Sequence, residues 1–214
     1  MLPDNYQFVL RSPVIPVMVI NDVSEAVPMA KALVAGGITT LEITLRTECA
    51  LEAIRSIAEA VPEAMVGAGT VCTDQQFHGV VAAGARFVVS PGCSDELIAA
   101  SRDTDTPLLP GAVTATEVMA VRNAGFPIVK FFPASTSGGA SAIKALGGPF
   151  HDLKFIPTGG VGPSNIGEHL GLSNVIAVGG SWMIPADACS KGDWTTIEQL
   201  AREAVNLASS VNAA

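Results

Sequence analysis

The sequence predicts an α/β fold: a single (β/α)8 TIM barrel over residues 1–214, one domain, with a short N-terminal helix ahead of the first strand. Three observations lead there. Eight short apolar runs recur about every two dozen residues, at 14–20, 38–45, 64–67, 87–90, 107–110, 128–132, 153–157 and 175–178. The runs are nearly continuous rather than alternating, as strands covered on both faces are, and parallel sheets wrapped by helices have such strands. Between them lie segments of helical periodicity with recognisable starts. Eight strand–helix units in 214 residues suit a closed barrel, for which about 200 residues is near the lower limit. A doubly wound open sheet is the competing reading. It lacks its Gly-rich first turn, since the chain there reads Asn21, Asp22, Val23, Ser24.

The helices follow in order. Pro28 is tolerated only near a helix start, so the first helix begins around residues 22–25. Thr47 precedes an apolar face of Leu51, Ile54, Ile57 and Val61 that stops before Pro62. Thr73 with Gln76, Thr114 with Glu117 and Thr195 with Glu198 fit capping boxes, in which two side chains satisfy free helix N–H groups reciprocally. Ser94 and Ser164 read as simpler N-caps. A faint internal repeat places Gly36 and Gly37, Gly84, and Gly125 where a helix passes into the next strand, a position suited to left-handed closure.

Composition removes several classes of function. Asp and Glu outnumber Lys and Arg by 20 to 12, a net charge of −8, which argues against a nucleic-acid partner. No apolar stretch reaches the 18 residues of a membrane span, and the N-terminus has neither the basic start nor the apolar run of a secretory signal. Cys49, Cys72, Cys93 and Cys189 are scattered without a CxxC pair, which predicts a reduced, cytoplasmic protein with incidental thiols.

A parallel barrel carries its site at the carboxyl ends of its strands. Here those ends hold small and polar residues while the starts are plain. Lys130 lies within a strand flanked by Phe126, Phe131 and Phe132, where lost hydration disfavours the ammonium and favours the nucleophilic amine needed for an imine. The competing reading is a stem that crosses the rim with its head in solvent. Lys154 lies near the start of its strand, the wrong end for chemistry, and reads as structural. Glu42 shares a strand face with Thr44 and points inward, suited to exchanging protons; Arg46, at the mouth, has the fork that grips a carboxylate or phosphate. The alternative there is a Glu42–Arg46 ion pair. Gly159 and Gly160, with Gly179, Gly180 and Ser181, follow strands seven and eight, where barrels hold phosphate on backbone N–H groups; ordinary glycine turns are the alternative. His78, His151 and His169 read as surface residues with no metal-site spacing, so no metal is expected. Met18, Met29, Met65 and Met119 read as core.

Six motifs in order, beginning at Leu41, Val66, Phe87, Val129, Pro157 and Val178, resemble bacterial 2-keto-3-deoxy-6-phosphogluconate (KDPG) aldolase, a family that also handles 4-hydroxy-2-oxoglutarate (KHG). The resemblance covers about residues 13–205. It implies a class I aldolase on a (β/α)8 barrel, a cytoplasmic homotrimer needing neither metal nor other cofactor. Its Schiff-base lysine falls on Lys130 and its acid/base carboxylate on Glu42. Its pyruvyl-carboxylate grip falls on Arg46 and Thr70, and its phosphate loops on Gly159, Gly160, Gly180 and Ser181. Phe132 and Thr158 match pocket positions, and Pro91 lies beside the carbonyl carbon. Thr158, and a first strand without arginine, favour the gluconate-type enzyme over the galactonate-type (KDPGal) aldolase.

The expected reaction is reversible cleavage of KDPG to pyruvate and glyceraldehyde 3-phosphate, with side activity on KHG and in oxaloacetate decarboxylation. Two rival readings use the same residues differently. A sugar-phosphate isomerase or epimerase would keep the glycine loops and Glu42 but have no use for an imine. A non-catalytic barrel would use Lys130 only as a positive charge.

Overall fold

Eight strands alternate with helices along residues 2–212, which the computed structural model describes. The strands are β1 (Val14–Met18), β2 (Thr40–Thr44), β3 (Met65–Gly69), β4 (Val88–Val89), β5 (Leu108–Leu109), β6 (Ile128–Phe131), β7 (Lys154–Pro157) and β8 (Val178–Gly180). The helices are α1 (Val23–Ala35), α2 (Ala50–Ala60), α3 (Asp74–Ala82), α4 (Asp95–Arg102), α5 (Ala115–Asn123), α6 (Gly139–Leu146), α7 (Ile166–Leu170), α8 (Ala186–Lys191) and α9 (Trp194–Asn212). Every strand pairing is parallel. Six strands form one curled sheet in the order β5-β4-β3-β2-β1-β8, while β6 and β7 form a separate pair. The expected eight-strand ladder is therefore continuous over six strands. The gap between β5 and β6 falls at Pro110, which accepts from Lys130 N but has no N–H to return to the ladder. Isolated parallel bridges, Gly111 with Lys130 and Thr158 with Gly179, run between the two sheets.

Two apolar clusters divide the core. The larger lies between strands and helices. The smaller, inside the curl, joins Ile15, Met65, Phe87, Val89, Leu109, Ile128 and Ile156 to Tyr6, Phe8 and Val9. The last three belong to a 3-10 turn, Asp4–Arg11, which is the expected N-terminal helix in a tighter form. It covers the amino ends of the strands. Phe8 stacks on Phe87 with centroids 4.5 Å apart, the Tyr6 hydroxyl donates to Leu108 O, and Thr40 donates to Phe8 O. Gly67 makes room, since a Cβ there would overlap the Phe87 ring. This floor closes one end and leaves the carboxyl ends open for a site.

The local signatures mostly held. Thr73–Gln76 and Thr114–Glu117 are complete capping boxes, Ser94 caps α4, and Asp22 caps α1. Gly37, Gly84 and Gly125 have φ between 94° and 98°, the left-handed conformation. Five readings need correction. Helix α9 is capped by Asp193, which accepts from Thr196 N, so Thr195 and Glu198 form no box. Asn165 rather than Ser164 precedes α7 and bonds its own loop. Strand eight sits later than 175–178, because Gly179 and Gly180 let the backbone pair with Ile15 and Pro16. Leu51 and Met119 are exposed, the buried face of α2 being Ala50, Ala53, Ile54 and Ile57. His169 is buried against α6 rather than on the surface, while His78 and His151 are exposed. Among the described residues, no helix is long and apolar enough to cross a membrane.

Candidate active site

Lys130 and Glu42 meet at the centre of the open end. Both side chains point inside the curl, Lys130 from β6 and Glu42 from β2, and Lys130 Nζ donates to Glu42 Oε1 at 3.1 Å. Only 5% and 4% of the two side chains is exposed, so the lysine does not reach solvent. Opposite charges in contact offset part of each other's lost hydration. Phe132 adds its ring, 5.2 Å from Nζ to the centroid. Gly69 on β3 makes the arrangement possible, since a Cβ there would overlap the Glu42 carboxylate.

The rim differs. Arg46 does not pair with Glu42; it is exposed, and its Nε donates to Thr70 Oγ1 at 3.3 Å. Thr70, at φ 60°, is alone among the described non-glycine residues in having a positive φ. For a β-branched residue this conformation costs roughly 1–3 kcal/mol, which the surrounding structure must sustain. Pro91 and Phe132 line a cavity of about 220 Å³ with Gly92 and Gly111. Lys154 donates to Ser173 O at the opposite, amino end, as a structural group would.

The two glycine loops lie side by side because Thr158 bridges to Gly179, whose missing Cβ leaves room for the Thr158 hydroxyl. Gly159 and Gly160 have φ 94° and 76°. The backbone N–H groups of Gly160 and Val161, and of Ser181 and Trp182, have no hydrogen-bond partner among the described residues. Open N–H groups in consecutive turns attract an anion. Ser181 is exposed and lines a separate cavity of about 300 Å³ with Val17, Asn21 and Glu25.

Two residues of this region escaped the sequence reading. Asn165 donates to Gly160 O and accepts from Gly162 N, both at 2.9 Å, and so holds the first loop in shape. The signal was an Asn three residues after Gly162, within reach of a loop N–H. Ser135 sits against Gly160; its signal was the polar run Ser135, Thr136, Ser137 directly after strand six.

Residues 7–200 match the family model described as "Aldolase: KDPG and KHG aldolase". The chain belongs to the KDPG and KHG aldolase family. The KHG/KDPG aldolase of Escherichia coli K12 is 52% identical over 193 residues, covering 90% of this chain and 91% of that protein. The KDPG aldolase of Legionella pneumophila, solved with pyruvate captured at low pH as a covalent carbinolamine intermediate, is 44% identical with a TM-score of 0.92. The match covers 95% of this chain and 98% of that one. A Zymomonas mobilis KDPG aldolase structure with 3-phosphoglycerate is 43% identical at a TM-score of 0.88, covering 94% and 95%. KDPG/KHG aldolases are carbon–carbon lyases.

Proposed function

We propose that this aldolase cleaves KDPG reversibly to pyruvate and glyceraldehyde 3-phosphate through a Schiff base on Lys130. KHG cleavage and oxaloacetate decarboxylation are its side activities. The observation that carries the reading is the 3.1 Å contact between Lys130 Nζ and Glu42 Oε1, with both side chains buried. The carbinolamine captured in the Legionella relative supports it.

The steps follow from the pair. A proton passes from the ammonium to Glu42, and the freed amine attacks the C2 ketone. Glu42 returns that proton to the carbinolamine hydroxyl, water leaves, and an iminium remains. The Glu42 carboxylate, relaying through a water, takes the proton of the C4 hydroxyl. The C3–C4 bond breaks, its electron pair flows into the iminium to give an enamine, and glyceraldehyde 3-phosphate departs. Glu42 then protonates C3, and water hydrolyses the iminium to pyruvate and free Lys130. Arg46 and Thr70 hold the pyruvyl carboxylate, and Pro91, Phe132 and Thr158 wall the pocket. Gly159, Gly160, Gly180 and Ser181 hold the phosphate. Backbone and hydroxyl donors suit that task in a chain of net charge −8, whose loops here carry no Lys or Arg.

The same reading takes residues 1–214 as one domain, its two sheets joined by the isolated bridges into a closed (β/α)8 barrel. It takes the assembly as a cytoplasmic homotrimer, which light scattering tests. The test of the chemistry is borohydride reduction with pyruvate followed by peptide mass spectrometry: an adduct on Lys130 is expected. An isomerase or epimerase would trap nothing. Comparing turnover of KDPG with that of its galactonate-derived epimer separates the gluconate-type from the galactonate-type enzyme.

A further inference from the structure

We propose that Ser135 is a specificity-determining residue that adds a third loop to the phosphate cradle, donating its hydroxyl to the phosphomonoester of the substrate. The inference rests on the phosphate reading of the two glycine loops. After β6 the chain stays beside the loop that follows β7. Ala134 N donates to Thr158 O at 2.8 Å and Ser135 N donates to Gly159 O at 3.0 Å. These bonds extend the β6–β7 pairing past the strands and hold Ser135 beside Gly160.

The side chain sits where only glycine would admit it. A Cβ on Gly160 would overlap the Ser135 hydroxyl, so the hydroxyl lies directly against the loop whose N–H groups are open. That hydroxyl is not otherwise engaged. Ser135 is exposed and its Oγ has no partner among the described residues, whereas Thr136 donates to Pro133 O in the same turn. Ser135 also begins the 3-10 turn Ser135–Ser137, which has no side-chain cap, so capping does not explain it. A phosphate dianion presents three oxygens, and two glycine loops with Ser181 do not exhaust their acceptor capacity. An uncommitted hydroxyl at the rim supplies a further donor on a loop separate from both.

The test is the ratio of kcat/KM for KDPG over kcat/KM for unphosphorylated KHG. Ser135→Ala is expected to lower this ratio about tenfold, the scale of one hydrogen bond to a charged acceptor. Ser135→Thr, which keeps the hydroxyl, should restore most of it. Ser135→Asp, which places a carboxylate against the phosphate, should lower it further. Ser181→Ala is measured alongside. If its ratio falls while Ser135→Ala and Ser135→Asp stay within about twofold of the parent, the role of Ser135 is overturned and the two-loop cradle stands. If the Ser181→Ala ratio does not move either, the cradle itself is misassigned and this inference falls with it.

Discussion

Lys130 Nζ lies 3.1 Å from Glu42 Oε1 although 88 residues separate the two along the chain. Each is the other's only charged partner among the described residues, and both are buried. In the proposed mechanism the contact divides the labour: the amine forms the covalent bond, and the carboxylate moves the protons.

Lys130→Met should abolish borohydride trapping of pyruvate. Glu42→Gln should still trap it, more slowly, while steady-state cleavage falls by about 10²–10⁴-fold, the usual worth of a positioned acid/base. Trapping lost as completely in Glu42→Gln as in Lys130→Met would show that the division is wrong.

Gly69→Ala places a methyl where the Glu42 carboxylate now sits. The carboxylate must swing away from Lys130, and a displacement on the order of 1 Å can cost about 100-fold in turnover. Crowding of the strand should cost about 1–3 kcal/mol of stability. Circular dichroism and kcat measured together check this, and an unchanged kcat would refute it.

Arg46→Met should raise KM for pyruvate in the condensation direction by at least about tenfold, since a fork-like grip on a carboxylate is lost. Ser181→Ala should act mainly on phosphorylated substrates. Equal effects of both variants on KDPG and KHG would refute the division of the pocket into two ends.

Phe8→Ala opens the floor beneath the strands by removing a buried ring stacked on Phe87. Loss of a buried phenylalanine costs about 3–5 kcal/mol, so a marked drop in Tm is expected. An unchanged Tm would mean that the 3-10 turn contributes nothing to the core.

His169 is 3% exposed, and its Nδ1 has no partner among the described residues. Burial pushes its imidazole below the usual histidine range, only partly opposed by the Glu168 charge. The unfolded chain therefore binds a proton more readily than the folded one between the two pKa values, and stability rises with pH across that window. The contribution is present above the unfolded value, near 6.5, and is lost as pH falls through the lower folded value. His169→Phe should flatten the fall in Tm between about pH 7 and pH 5. A parallel fall in the variant would assign the acid sensitivity elsewhere.

Much of this molecule was legible before its structure. The strand segments, the capping boxes at Thr73 and Thr114, and the left-handed glycines depend on residues close together in the chain. The carboxyl-end placement of Lys130 and Glu42 also follows from their positions within strands. Local reading failed where two local partners compete, as Asp193 over Thr195, or where exposure depends on the neighbouring element, as at Leu51 and His169.

The sequence alone thus determined which segments are strands and helices and which polar residues sit at the strand ends, because periodicity and capping act over a few residues. Tertiary structure alone decided that Glu42 faces Lys130 rather than Arg46, that Ser135 lies on Gly160, and that Phe8 closes the floor. Those contacts depend on the register and curl of parallel strands, which bring together groups far apart in the chain.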